Sequence, residues 1–210
     1  LYPLYMAYSI YRARARREDP DASPETWSRE RQCALWSKVV EENIFVVCKT
    51  KMAKSITKRT LRGFRETEIN AHCFDDLVAL LKDKPRQFIE RVARKSFWKK
   101  GDGPMKFDAV VGNPPYQVMA KGKANGSDPI YHLFIDAARE LSPRGTFIHP
   151  GRFLFNAGKT PKEWNEKMLH DPHFRVIHYW IDSKEVFPTV DIKGGVAVTY
   201  WDQNPVRDGD

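Results

Sequence analysis

The chain has 210 residues, of which 41% are hydrophobic and 12% aromatic, enough for one domain with a sizeable apolar core. The 35 Lys and Arg residues exceed the 27 Asp and Glu residues, and the resulting formal charge of +8 favours a polyanionic partner. There is no apolar run of about 18 residues, which excludes a membrane-spanning helix. Because Cys33, Cys48 and Cys73 form no C-x-x-C pair, we expect reduced thiols, a cytoplasmic location and no metal site.

Two helices are predicted in residues 1–42. In residues 1–17, Leu, Tyr, Met and Ile positions compatible with one helix face lead into a run of arginines. That run has two interpretations, a solvated face or a contact to DNA. Ser23 followed by Pro24 marks the start of a second helix over residues 25–42. Five of its residues are expected to face inward: Trp27, Leu35, Trp36, Val39 and Val40.

A strand at 44–48 and a basic helix at 51–65 follow, and together they form half of a βαβ unit. The next strand begins at Ile69 and leads to Asp75 and Asp76. Their carboxylates either contact a ligand or begin a short helix, since Asp is favoured at helix starts. Residues 82–100 have the spacing of a basic amphipathic helix, which either covers the sheet or follows a phosphate backbone.

The next predicted strand ends abruptly in Asn113-Pro114-Pro115-Tyr116. Its Ala and Val residues indicate a buried strand, and Gly112 with the two prolines stops it. The chain therefore turns at the carboxyl end of a strand, where open α/β sheets place their ligands.

The tetrapeptide has the chemistry to hold an amino group. The prolines lack an N–H and keep φ near about −65°, and the residue before each proline is driven towards extended backbone. The Pro114 carbonyl can then point into a cleft, with the Asn113 side chain as a second acceptor beside it. Two fixed acceptors suit an exocyclic –NH2 because each takes one hydrogen. Tyr116 adds a flat face on which a base can stack.

The remainder alternates helices and strands. Residues 117–127 have the composition of a mobile loop and are a candidate lid. Asp128 and Pro129 are expected to open a helix, as cap and first-turn proline. Strands are predicted at 146–148, 174–180 and 194–201, with a short helix at 164–169 and turns at 149–153 and 185–188.

Residues 113–116, after their apolar strand, resemble the catalytic motif of DNA amino-methyltransferases, in particular adenine-N6 methyltransferases of restriction–modification systems. The resemblance covers residues 43–201 and includes the Pro-x-x-Phe turn at Pro150. It implies an α/β, Rossmann-like methyltransferase sheet with helices on both faces. It further implies S-adenosylmethionine as cofactor, double-stranded DNA with a flipped adenine as substrate, and restriction or recognition domains or subunits as partners.

The resemblance also assigns roles to residues. Catalysis is expected from Asn113, Pro114, Pro115 and Tyr116, and base stacking from Tyr116 and Phe187, although Phe187 could equally be plain core. Cofactor contacts are expected at Cys48, Asp75 and Asn113, with Asp76 as the alternative to Asp75. Where the family has an acidic residue for the ribose hydroxyls this chain has Cys48, whose thiol cannot accept that pair, and this favours a packing role.

The predicted organisation is a helical segment at 1–42, a partial catalytic domain at 43–201 and a tail at 202–210. The family's glycine-rich turn is expected before Leu1 and a target-recognition domain after Asp210, so the fold should be incomplete at its N-terminus. The missing turn and Cys48 leave a second interpretation open, in which the chain is a catalytically inactive DNA-binding or scaffold remnant. Methylation of cytosine N4 or glutamine N5, which uses related motifs, is a further alternative.

Overall fold

The computed structural model describes residues 2–63, 65–119 and 127–204. Their contacts divide the chain into two compact units, Leu1–Leu77 and Val78–Asp210. Within the described ranges no helix is long and apolar enough to cross a membrane. Cys33, Cys48 and Cys73 are free thiols.

The first unit opens with two packed helices, α1 (Tyr2–Glu18) and α2 (Arg29–Asn43). α1 buries Ala7, Tyr11 and Ala15, which are four residues apart and therefore lie on one face. They join Leu35, Val39 and Val40 of α2 in one apolar cluster. The inward positions predicted for the second helix are thus confirmed for these residues.

The predicted start of the second helix was wrong by several residues. Pro24–Thr26 is a short 3₁₀ turn, and α2 begins after Ser28, whose side chain accepts a hydrogen bond from the Arg31 N–H at 3.2 Å. The Ser23 hydroxyl bonds to the Glu25 carboxylate instead of capping a helix. A helix begins where a side chain satisfies its free N–H groups, and Ser28 is the serine that does so.

A parallel strand pair completes the first unit. β1 (Phe45–Cys48) leads through α3 (Lys51–Arg62) to β2 (Asn70–Cys73), and Cys48 lies opposite Cys73 at the end of the pair. The Thr50 side chain caps α3 by accepting from the Ala53 N–H at 3.0 Å. The predicted strand–helix–strand unit is confirmed.

The segment after β2 contains the short helix expected after Asp76, and a second helix that is shorter than predicted. α4 (Leu77–Asp83) ends before α5 (Pro85–Val92), and a 3₁₀ turn follows at Lys95–Trp98. Pro85 has no N–H to continue α4, but proline suits the first turn of a new helix. The single helix predicted over 82–100 was therefore wrong.

The residues around the tetrapeptide form three short strands. β3 (Val110–Gly112) precedes it, and β4 (Gln117–Met119) pairs antiparallel with β5 (Ser127–Pro129). The predicted helix start at Asp128 was wrong, because this residue lies opposite Val118 in the strand pair. The ends of the predicted lid thus form a hairpin, and its middle, 120–126, lies outside the described residues.

The remaining strands join β3 in a mixed sheet, with two helices between them in the sequence. In chain order the elements are α6 (Tyr131–Leu141), β6 (Arg144–Pro150), α7 (Lys162–Leu169), β7 (Phe174–Trp180) and β8 (Val196–Asp202). The sheet order is β3-β6-β8-β7. β3 is parallel to β6, whereas β8 is antiparallel to both β6 and β7. The chain therefore has the α/β, Rossmann-like methyltransferase fold class predicted from its sequence.

A glycine in β6 allows the core of this sheet to close. A Cβ on Gly145 would lie 2.2 Å from the ring of Trp201 and 2.4 Å from the Val110 carbonyl oxygen. Trp201 is fully buried and packs with Phe147, Phe153 and Trp164. Any side chain at position 145 would displace this ring and loosen β6, the strand that borders the tetrapeptide.

Candidate active site

Residues 113–116 leave the sheet where β3 stops beside a longer neighbour. The last residue pair is Gly112 opposite Phe147, and β6 continues to Pro150. Gly112 also permits close packing, since a Cβ there would lie 3.0 Å from the Phe147 ring. Asn113 is consequently exposed at the carboxyl edge of the sheet, directly after a half-buried edge strand.

The tetrapeptide is anchored on one side and open on the other. Pro114 is buried, Pro115 and Tyr116 are half-buried, and the Tyr116 carbonyl accepts from the Ile130 N–H at 3.0 Å. Within the described residues, no hydrogen bond is formed by the Asn113 side chain or by the Pro114 carbonyl. Both acceptors therefore lack a partner among the described residues, and the exposed Asn113 is accessible to a ligand while the backbone that follows is held.

The two predicted stacking residues lie together. The rings of Tyr116 and Phe187 are 6.4 Å apart between centroids, with an angle of 63° between their planes. Both pack on the cluster formed by Ile148, Ile192 and Val196. A base held between two parallel rings needs them about 7 Å apart, twice the usual carbon contact distance. The observed edge contact is not such a slot, so a ring must turn before both can stack on one base.

A buried serine, not anticipated from the sequence, positions Phe187. The Ser183 carbonyl accepts from the Phe187 N–H at 2.8 Å. The Ser183 hydroxyl donates to the Val190 carbonyl at 3.0 Å and accepts from the Ile192 N–H at 2.8 Å. The Asp182-Ser183 pair is a turn signal that could have located this loop. The hydrogen bonds of Ser183 therefore close the loop that carries Phe187.

His149 is the second residue that sequence reasoning gave no role. Its side chain is fully buried and stacks on Tyr131, with ring centroids 5.0 Å apart. The Pro150 carbonyl, 3.1 Å from Nδ1, can only accept, so Nδ1 carries the proton and Nε2 accepts from the Thr199 hydroxyl at 2.9 Å. Burial lowers the pKa of His149 to about 4, so the ring is neutral at pH 7. This neutral ring ties β6 to β8 at the point where the Pro150 turn begins.

The cofactor residues predicted in the first unit differ in accessibility. Cys48 is 6% exposed, its sulfur lies 3.8 Å from the Thr57 hydroxyl, and burial raises the pKa of its thiol. Asp75 follows β2 and is exposed. At the end of this strand pair an exposed carboxylate is thus available to a ligand, whereas the thiol is mostly enclosed.

The chain matches the model of a protein family described as Eco57I restriction-modification methylase over residues 42–187. It is also 31% identical over 113 residues to a Mycoplasma pneumoniae protein named uncharacterized adenine-specific methylase. That alignment covers 52% of this chain and 27% of the relative, so the chain spans about a quarter of the relative's length. The family match includes β1 to the Phe187 loop, and with it the tetrapeptide. Since it takes in well over half of the 210 residues, the chain belongs to the Eco57I restriction-modification methylase family.

Proposed function

We propose that the protein is a DNA adenine-N6 methyltransferase of a restriction–modification system that uses S-adenosylmethionine. The observation that carries the proposal is the exposed Asn113 beside the Pro114 carbonyl, neither of which has a hydrogen-bond partner among the described residues, set after β3 in a chain of this family. The name of the Mycoplasma relative, an adenine-specific methylase, supports adenine as the target base.

The proposed chemistry depends on positioning. An adenine N6 is not accessible at attack geometry inside the stack, so the base must be rotated out of the duplex. The Asn113 side-chain oxygen and the Pro114 carbonyl each accept one N6 hydrogen. This draws the nitrogen lone pair out of conjugation and directs it at the methyl group. The methylated nitrogen is cationic and sheds its proton, so no strong base is needed.

The aromatic pair is proposed to hold the flipped base. Tyr116 follows the acceptors directly, and the Phe187 ring contacts its edge. Base stacking on an aromatic ring contributes about 1–3 kcal/mol. Because the two rings contact each other in the described arrangement, an entering base replaces that ring contact and the aromatic surface stays covered in both states.

The residues present fit the cofactor in part. S-adenosylmethionine would supply an electrophilic methyl group on a sulfonium. We propose that Asp75 accepts from the adenine amino group of the cofactor and that Asn113 lies next to the reacting methyl. Cys48 offers no pair of acceptors for ribose hydroxyls and has little exposed surface. It stays a predicted contact that packing alone also explains.

The decisive experiment measures labelled methyl transfer to DNA and to protein by the full-length protein and its Asn113→Ala variant. Removing one preorganised acceptor should lower transfer at least about 100-fold while DNA binding is kept. Asn204→Ala, an exposed asparagine after β8, is the matched control. Normal turnover by Asn113→Ala would refute the assignment. Nucleoside analysis of the product separates N6-methyladenine from N4-methylcytosine, and label in protein would indicate glutamine instead.

A second candidate is an inactive DNA-binding or scaffold remnant of such an enzyme. The buried thiol at Cys48, where the family has a ribose-binding carboxylate, favours it. Calorimetric titration with S-adenosylmethionine discriminates the two, because a remnant shows no heat of binding while still binding DNA.

A further inference from the structure

The outward face of α1 carries tyrosines and arginines in one stripe. Tyr5, Tyr8, Arg12 and Arg16 are three or four residues apart and all exposed, with Tyr5 at 68% and Tyr8 at 44%. This spacing places them on one side of the helix. The adjoining face, with Ala7, Tyr11 and Ala15, is buried. We call these four exposed residues the tyrosine–arginine stripe.

The charge of the stripe is largely uncompensated. No acidic residue occurs from Tyr2 to Arg17. Arg14 forms an ion pair with Glu42 at 2.9 Å, whereas Arg12 and Arg16 form none among the described residues. Glu25 is near enough for Arg12 to contribute to the lowered pKa of its carboxyl, after a larger contribution from the Ser23 hydrogen bond. The stripe thus presents two cations to solvent.

One ring of the stripe, that of Tyr8, is held in place. Tyr8 stacks on Tyr11 with centroids 6.4 Å apart and planes 17° apart, and the Arg12 guanidinium lies 5.9 Å from the Tyr8 ring centre. Tyr11 is itself part of the buried cluster. A preorganised ring and guanidinium lose little entropy when a ligand binds.

The chemistry of the stripe distinguishes between partners. The purely apolar side chains of α1, Leu4, Met6 and Ile10, pack against the core of the first unit. What faces outward are phenol hydroxyls and guanidinium groups, which donate hydrogen bonds. Tyr and Arg are also enriched in protein–protein interfaces, but what points to a polyanion here is the lack of any carboxylate from Tyr2 to Arg17. Donors and cations without carboxylates suit the phosphate oxygens of a nucleic-acid backbone.

We propose that the tyrosine–arginine stripe binds the phosphate backbone of duplex DNA, independently of base sequence. The proposal rests on the proposed function for the identity of its partner, DNA. The stripe lies outside residues 42–187, which match the family, so it would add a contact to those of the methylase domain. Arg12 and Arg16 neutralise phosphates, and the Tyr5 and Tyr8 hydroxyls donate to them.

The test is the salt dependence of binding to a short duplex without a recognition site, measured by fluorescence anisotropy on the full-length protein. Each neutralised phosphate contributes about 0.9 to the slope of log K against log salt. The Arg12→Gln/Arg16→Gln variant should therefore reduce the slope by about 2. The control Arg29→Gln/Lys38→Gln removes the same charge from exposed positions of α2 and should leave the slope unchanged.

A second variant separates hydroxyl contacts from charge. Tyr5→Phe/Tyr8→Phe keeps the rings and removes two donors, so affinity should fall about 25-fold, about fivefold per hydrogen bond, without a change in slope. An unchanged slope in the arginine variant, or an equal reduction in the α2 control, would overturn the proposal. Circular dichroism and thermal unfolding verify that each variant is folded.

The outcome is separable from that of the proposed function. If the arginine variant loses slope while the wild-type protein transfers no methyl group to DNA, the stripe stands and the enzymatic assignment fails. If methyl transfer by the wild type is normal and the arginine variant keeps the wild-type slope, the proposal for the stripe fails and the enzymatic assignment remains.

Discussion

Two pairs of parallel strands end differently in this protein. β1 and β2 end level at Cys48 and Cys73, whereas β6 continues past the last residue of β3 to Pro150. The level end encloses its final side chain, the Cys48 thiol. The staggered end releases Asn113 from the sheet beside a strand that is still rigid. The difference shows how the same local arrangement can produce a packing residue in one place and an exposed, oriented polar group in another.

His149 ties β6, the longer strand of the staggered end, to Thr199 of β8. His149 has an unfolded-state pKa of about 6.5 and a folded-state pKa of about 4, so folding favours its neutral form. The resulting stability is fully present above pH 6.5 and is lost as pH falls towards 4. At about 1.4 kcal/mol per pKa unit this corresponds to about 3 kcal/mol.

We therefore expect the free energy of unfolding of the wild type to fall by about 3 kcal/mol more than that of His149→Gln between pH 6.5 and 4. Urea unfolding at a series of pH values measures the difference. Parallel pH profiles for the two proteins would show that His149 is not the titrating group. The pKa of His132 is also lowered, by burial, but it is common to both proteins and cancels.

The second prediction tests whether the open end holds a base. Tyr116→Ala or Phe187→Ala should weaken base binding by about 2 kcal/mol, about 30-fold, because one stacking surface is lost. Single-turnover methyl transfer, with 2-aminopurine fluorescence to follow the flipped base, measures the effect. Phe155→Ala removes an exposed ring outside the site and should leave transfer unchanged. Equal losses in all three variants would point to stability instead.

The smallest expected effect tests the level strand end. Asp75→Ala should weaken S-adenosylmethionine binding about fivefold, the value of one net hydrogen bond. Cys48→Ala should leave this affinity within about twofold, since the thiol is only 6% exposed, although it lowers stability by about 1 kcal/mol. Calorimetric titration of both variants with S-adenosylmethionine measures the two affinities. A larger loss of affinity in Cys48→Ala than in Asp75→Ala would reverse the comparison.

Local sequence patterns predicted an element correctly where the residues of that one segment determine its structure. The strand at Phe174–Trp180, the position of β3 and the parallel pair β1–β2 follow from apolar runs bounded by turn residues. The family was also identifiable, because Asn113-Pro114-Pro115-Tyr116 needs only a preceding strand to be meaningful. By contrast, the start of α2 depended on which serine caps the helix, Ser28 and not Ser23. The division of 82–100 depended on Pro85, which has no N–H and begins a new helix.

The sequence by itself determined which polar groups stand at the strand ends: Asn113 after β3, Asp75 after β2, and Cys48 as the last residue of β1. Only the tertiary structure decided that Cys48 is enclosed while Asp75 and Asn113 are exposed, because burial depends on the segments that pack around each strand end. It alone brought Phe187 to Tyr116 and Thr199 to His149, pairs far apart in the chain. Such contacts arise when sheet order and packing close long loops, and no local pattern of residues encodes them.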